Sequence, residues 1–292
     1  MIKTIDMHTH STASDGSMSP IELVREAKKQ GLSAIALTDH DTVEGVAEAL
    51  EEGDRLGVEV VPGIEISVNY KPEMHILGYF PDRNKYTAIK KELNIVIEGR
   101  NSRNQKIINK LNELNVDITI EDVQAAAVGD IVGRPHIAKV LVAKGYARDI
   151  DDAFEKYLSK NGKAYFKRFE LTPEVGIQAI RKAGGIPVLA HPIFLQKTYH
   201  ELDEILLELK SYGLMGIEAI YSENSEQDTG NFLRLAIKHD LLVTGGSDFH
   251  GSLKSGLQMG SGRGTLRIEY ELLEKLRARY TGEIESQIYW GN

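Results

Sequence analysis

The stretch "IDMHTHSTASDGS", residues 5–17, decides how the rest of the chain reads. It runs as a short apolar strand and then breaks into His8 and His10, with Asp15 five positions after the second histidine. Residues two apart on an extended chain point to the same side, so His8 and His10 can offer two nitrogens to one centre. Ligand-type side chains placed where a strand ends suit a β/α barrel, whose parallel strands bring their carboxyl ends to one face.

Outward from this stretch, strand and helix patterns alternate. "SPIELVREAKKQG" (19–31) predicts a helix: Ser19 as cap, Pro20 in the first turn, Glu22 closing a capping box, and Gly31 as the stop. "SAIALT" (33–38), a helix near 42–53, "VEVV" (58–61), "EISVNY" (65–70) and "MHILGYF" (74–80) follow, the last two around the turn "KPE". The order strand, helix, strand, helix, strand predicts parallel pairing. From about 86 to 160 the pattern is helical, including a start at Thr119 with Asp122 in capping-box position. Alternation resumes with "TPEVGIQAIRKAGG" (172–185), "IPVLAHP" (186–192), "GIEAIY" (216–221) and "LLVTGGSDFH" (241–250). A barrel interrupted by a helical insertion accounts for both halves, with residues 1–97 and 168–292 as the barrel and 98–167 as the insertion.

Bulk properties narrow the chemistry. With 292 residues, 41% hydrophobic and 27% charged, the chain is long enough for one large α/β barrel or two modest domains and too apolar for long disorder. No apolar run is long enough to span a bilayer and no signal peptide pattern opens the chain, so a cytoplasmic protein without membrane association is expected. The absence of cysteine excludes thiolate sites and leaves nitrogen and oxygen ligands. A formal charge of −8 argues against coating nucleic acid, so a polyanionic substrate has to be met locally. Nothing in the sequence points to a protein partner.

Five of the nine histidines join His8 at the edges of apolar runs: His10, His40 in "ALTDHD", His75 in "EMHILGY", His191 in "VLAHP" and His250 in "GGSDFH". Asp15, Glu65 and Asp248 accompany them. Imidazoles and carboxylates suit Zn, Mn or Fe, particularly clusters in which a carboxylate bridges two ions. Asp6, Asp39 and Asp41 lie beside these residues and are expected to hydrogen-bond imidazoles rather than to ligate. His200 and His239 fall within helical segments and read as ordinary surface or packing residues.

The motifs "DMHTHSTASDGS", "ALTDHDT", "GIEIS", "HILGY", "AHP" and "GSDFHG" occur in this order across nearly the whole chain. Together they resemble the PHP (polymerase and histidinol phosphatase) domain family, in its phosphoesterase branch related to nucleoside 3′,5′-bisphosphate phosphatase and a 5′-3′ exoribonuclease. The resemblance implies a distorted seven-stranded β/α barrel with two or three divalent metal ions. By the same resemblance His8, His10, Glu65 and Asp248 would hold one ion, Asp15, His40 and His250 another, and Glu65, His75 and His191 a third, with Glu65 bridging.

Clustered cations lower the pKa of a bound water to about 7 and neutralise phosphoryl charge. A metal-bound hydroxide is therefore the expected nucleophile, with His191 or His250 as donor to the leaving oxygen. The insertion is expected to supply substrate contacts. "GRPHIAK" places Arg134 and His136 at a helix start, which the resemblance links to a substrate phosphate. Arg100 and Arg103 in "GRNSRNQK", and Lys160, Lys163, Lys167 and Arg168 among Tyr165, Phe166 and Phe169, are further candidates for phosphate contact and base stacking. A nucleotide or short oligonucleotide is the expected substrate. Three other readings compete: an amidohydrolase, for which no strand-end lysine stands between Glu65 and His191; a histidinol-phosphate phosphatase; and a metal-stabilised module without catalysis.

Overall fold

The computed structural model describes residues 3–126, 132–167 and 171–282, apart from the side chains of 95–97 and 100. The chain forms two compact units, Met1–Glu92 with Leu171–Asn292, and Leu93–Glu170. Among the described residues no helix is long and apolar enough to cross a membrane.

The first unit is built on β1 (Ile5–Thr9), α1 (Pro20–Lys29), β2 (Ala34–Leu37), α2 (Val46–Leu56), β3 (Glu59–Val68) and β4 (Met74–Tyr79). The start of α3 (Ile89–Glu113) belongs to it, and the chain passes into the second unit within that helix. The second unit adds α4 (Ile120–Ala125), α5 (Arg134–Ala143) and α6 (Ile150–Ala153). The first unit then continues with α7 (Pro173–Lys182), β5 (Ile186–Leu189), α8 (Tyr199–Ser211), β6 (Gly216–Tyr221), α9 (Glu226–Lys238), β7 (Leu242–Gly246) and α10 (Glu271–Thr281). The capping residues read from sequence at α1, α4 and α7 act as such: Ser19, Thr119 and Thr172 each accept from a backbone N–H of the first turn.

The seven strands follow in sequence order around one sheet. The sheet curls toward closure where the exits of β1 and β7 meet: Asp248 N–H donates to His8 O at 2.9 Å and His10 N–H to Phe249 O at 2.9 Å. Asp6 ties the same seam, accepting from Ser247 N at 2.9 Å and Gly260 N at 2.7 Å. The expected seven-stranded barrel is present, with two corrections to its strands. "VEVV" and "EISVNY" are parts of a single strand, β3, because Pro62 and Gly63 continue the extended chain. β4 runs antiparallel to both β3 and β5, whereas the other pairs are parallel. The short "KPE" connection allows only a hairpin, since a parallel return needs a crossover of a dozen residues or more.

Two bulges set which side chains face inward. Asp6 pairs with Ile35 and Thr9 with Leu37, so Met7 and His8 together oppose Ala36. This extra residue lets Met7 stay in the apolar cluster with Ile5 while His8 also turns inward. In β6, Glu218 pairs with Thr244 and Tyr221 with Gly246, again with one extra residue, so both face the same side despite their odd spacing. The barrel floor is apolar, with Ile5, Ala34, Val61, Leu77, Ile186 and Val188 in one cluster that Leu273 and Leu276 of α10 join. The second unit has its own aliphatic core, including Ile107, Leu111, Ile118, Ile137 and Leu141.

Candidate metal centre

Nine side chains from six strand ends and a loop converge above that floor. His8 and His10 come from β1 and its exit, His40 follows β2, Glu65 lies in β3, His191 follows β5, and Asp248 and His250 follow β7. His75 joins them from the start of β4, not its end, because this antiparallel strand begins at the face where the others finish. Asp15 is carried by the loop after β1, where Gly16 donates to Ser11 O at 2.9 Å. A Cβ at Gly16 would stand 2.3 Å from His10 O, so the loop closes this tightly only around glycine. At Gly246 a Cβ would meet that of His8 at 2.1 Å, so a side chain there would displace the imidazole.

Glu65 is the hub. Its Oε2 lies 3.3 Å from His8 Nε2, 3.2 Å from His10 Nε2 and 3.3 Å from His40 Nδ1. Its Oε1 lies 2.9 Å from both His75 Nδ1 and His191 Nε2. Asp248 Oδ1 stands 3.3 Å from His10 Nε2 and 3.3 Å from His250 Nδ1. Asp15 reaches His250 Nε2 at 3.3 Å and His10 Nδ1 at 3.6 Å.

The ligand-type atoms fall into four overlapping groups: His10, Asp15, His40 and His250; His8, Glu65 and His191; His8, His10 and Asp248; and His40, Glu65 and His75. All nine residues expected from sequence are among them, though shared out differently from the implied sets. His10 groups with Asp15, and His40 with Glu65 and His75.

The electrostatics are those of a cluster assembled for cations. Burial alone would raise the Glu65 carboxyl, but His40, His8 and His75 hold it well below the usual carboxylate range. Burial likewise opposes charge on the imidazoles, yet Asp248 and Glu65 carry His10 up to about 9, and Glu65 and Glu73 carry His75 up to about 10. His40 goes the other way, pushed down to about 3 by burial and by the neighbouring His10 and His75. Four buried imidazole nitrogens, His8 Nε2, His10 Nδ1 and Nε2, and His40 Nδ1, have no partner in hydrogen-bond geometry among the described residues. Buried polar atoms left so cost about 1–3 kcal/mol each, and a divalent cation is the partner their lone pairs fit.

Residues the sequence reading passed over hold this cluster in place. Glu218 bonds His8 Nδ1 at 3.0 Å and accepts from His191 N–H at 2.7 Å. Asp248 Oδ2 accepts from Tyr221 Oη at 2.8 Å and from Lys254 Nζ, which leaves Oδ1 to the imidazoles. Glu218 was legible as an acid inside an otherwise apolar buried strand, a placement that demands a partner. Of the aspartates expected in this role, Asp6 and Asp39 bond backbone N–H groups and hydroxyls. Asp6 takes backbone N–H groups of His8, Ser247 and Gly260 and the Ser247 hydroxyl. Asp39 takes the N–H and hydroxyl of Ser11 and the hydroxyl of Ser14, shaping the loop that carries Asp15. Asp41 accepts from Ser67 N–H. Asp41, His191 and Asp248 have φ of 54°, 23° and 57°, conformations that cost about 1–3 kcal/mol each and gather at functional sites.

The substrate candidates lie in the second unit. Arg134 opens α5 and donates to Leu158 O at 3.2 Å, and His136 Nδ1 accepts from Gly133 N–H at 3.1 Å. Arg103 is buried and donates to Asn104 Oδ1 at 3.1 Å. Phe166 packs against that unit's core, Lys160, Lys163 and Lys167 are exposed, and Tyr165 is half-buried. Arg168, Phe169 and the side chain of Arg100 lie outside the described residues. His200 is exposed on α8, and His239 ends α9 paired with Asp203 at 2.6 Å, both apart from the cluster.

The fold and cluster together define a class, the β/α barrels that gather imidazoles and carboxylates at one mouth. Residues 6–171 match the PHP domain model, and the chain belongs to that family, as its motifs suggested. It is 34% identical to a 5′-3′ exoribonuclease of Haemophilus influenzae over 86% of this chain and 91% of that one. It is 30% identical to a 3′,5′-nucleoside bisphosphate phosphatase of Chromobacterium violaceum over 88% of this chain and 90% of the relative. Among solved structures, a Bifidobacterium adolescentis protein designated a metal-dependent phosphoesterase superposes with a TM-score of 0.73 at 30% identity, covering 95% of this chain and 96% of its own.

Proposed function

We propose that this protein is a metal-dependent phosphoesterase acting on nucleotides, with nucleoside 3′,5′-bisphosphates, the 5′ ends of short RNA, or both as its substrates. The observation that carries this is Glu65, whose two oxygens face two separate sets of imidazoles. The activities of the two relatives, one on RNA ends and one on bisphosphates, support the substrate class. A cysteine-free chain acting on nucleotides fits a cytoplasmic setting.

His8, His10, Asp15, His40, Glu65, His75, His191, Asp248 and His250 would hold two or three divalent ions, with Mn, Zn or Fe matching this donor set. Such ions, when bound, supply an acidified water and neutralise charge on the phosphoryl oxygens. The protein's own part is positioning. Glu218 orients His8, and also His191 through its backbone N–H, while the Asp248 carbonyl bonds His250 Nδ1 at 2.8 Å. His191 and His250 are the candidates to hand a proton to the leaving oxygen.

Arg134, His136 and Arg103 are assigned to the substrate's second phosphate. In His136 the Gly133 N–H occupies Nδ1, so the neutral ring carries its proton on Nε2 and can donate it to an anion. Burial lowers the pKa of this imidazole, which favours that neutral form.

The test is to measure bound metals and then compare 3′-phosphoadenosine 5′-phosphate, AMP and a 5′-phosphorylated oligoribonucleotide. Hydrolysis of the bisphosphate or the RNA end well above AMP is expected. A metal-loaded protein inert toward all three, or one preferring histidinol phosphate, would overturn the reading. Arg134→Ala should raise KM for the bisphosphate about tenfold and leave an aryl phosphate nearly unchanged. Equal effects on both would remove Arg134 from the substrate.

A further inference from the structure

The mouth of the barrel also carries an exposed aromatic ring that neither the candidate metal cluster nor the core uses. Phe194 lies in the short 3₁₀ turn Pro192–Leu195, directly after His191. Its neighbours Pro192 and Leu195 are buried, whereas Phe194 is 44% exposed. Its backbone is fixed, because the Phe194 N–H donates to His191 O at 3.1 Å. The ring is supported from within by two others. His191 lies 5.1 Å away between centroids, and Tyr221 lies 5.7 Å away at 81°, edge to face.

We propose that Phe194 is the stacking platform for the nucleobase of the substrate. This rests on the phosphoesterase reading and narrows it to substrates that carry a base near the reacting phosphate. His191 links the two halves: its Nε2 is 2.9 Å from Glu65 Oε1, and its ring packs against Phe194. A nucleotide whose phosphate is held at the Glu65 cluster would, where it extends past His191, meet an aromatic ring 5.1 Å from that imidazole. Every base has a π-face, and stacking on an aromatic side chain contributes about 1–3 kcal/mol while tolerating any sequence. A platform of this kind admits both a mononucleotide bisphosphate and an RNA end.

The experiment uses the full chain loaded with Mn²⁺ and two probes: adenosine 3′,5′-bisphosphate and the abasic ribose bisphosphate that lacks adenine. Phe194→Ala should raise KM for the adenosine compound about tenfold and leave the abasic compound within twofold. Phe194→Trp should preserve the wild-type preference for the adenosine compound. Calorimetric binding of both probes gives a second readout independent of turnover. If Phe194→Ala affects both probes equally, or neither, the platform is refuted. If the wild type binds the adenosine compound more tightly through Phe194 yet hydrolyses neither, the platform stands and the phosphoesterase reading fails.

Discussion

The mouth of the barrel and the interior of the second unit are both buried, but they are built on opposite terms. The second unit fills its interior with aliphatic side chains such as Ile107, Leu111, Ile137 and Leu141. Charged side chains buried there are partnered within the unit: Asp152 pairs with Lys156 and Arg148, and Arg103 donates to Asn104 Oδ1. The mouth instead buries Asp6, His8, His10, Glu65, Glu218 and Asp248 together and leaves four imidazole nitrogens without hydrogen-bond partners among the described residues. The second unit satisfies its interior by packing apolar side chains against one another. The mouth instead gathers imidazole and carboxylate lone pairs of the kind that suit a divalent cation.

The sharpest way to break this contrast is to remove the hub. Glu65→Gln keeps the shape of the side chain but gives up the charge that faces five imidazoles. Turnover should fall on the order of a thousandfold, and metal bound per chain should drop. A variant with full metal content and full turnover would show that Glu65 bridges nothing.

The matching change in the other region should act on stability alone. Leu111 is fully buried in the aliphatic core of the second unit. Leu111→Ala should cost about 2–5 kcal/mol in denaturant unfolding. Metal content at low temperature should stay at the wild-type value. Loss of metal in parallel with stability would mean that the two regions are not independent in the way their interiors suggest.

Metal loading sharpens the comparison without any mutation. A cation at about one hundred times its Kd stabilises the state that binds it by about 2.7 kcal/mol. Hydrogen exchange followed with and without Mn²⁺ should show added protection in the segments 5–17, 63–79, 186–192 and 241–250. Segments 107–125 and 134–158 should change little. Uniform protection of both units would contradict a site confined to the barrel mouth.

Much of this contrast could be read from the sequence, for reasons that differ by residue. His8 with His10 and Asp248 with His250 were visible because two-residue spacing on extended chain is a local property. Helix starts at Ser19, Thr119 and Thr172 were visible because capping is settled within four residues. The antiparallel β4 was not inferred, since a general expectation of parallel strands outweighed the three-residue "KPE" turn that excludes it. The two bulges were invisible, because an extra residue shows only against the register of the partner strand. Tyr221 was missed for that reason: counted along β6 it falls on the face opposite Glu218, and the bulge brings both to the same one. The distribution of the nine side chains into groups also depends on where six strands end in space, which spacing along the chain does not encode.

The smallest expected effect tests how finely the mouth is set. Tyr221 donates its hydroxyl to Asp248 Oδ2 at 2.8 Å, and Lys254 Nζ meets the same oxygen. Asp248 sits at φ 57°, so its side chain depends on such partners to keep Oδ1 toward His10 and His250. Tyr221→Phe deletes only the hydroxyl and keeps the ring that packs against Phe194 and His191. Base preference should therefore stay unchanged while metal is released about tenfold more readily to a competing chelator, the lower end of what losing a ligand's hydrogen-bond partner costs. If metal retention is unaltered, Lys254 alone holds Asp248. A change in base preference instead would show that the hydroxyl acts through the aromatic cluster rather than through the carboxylate.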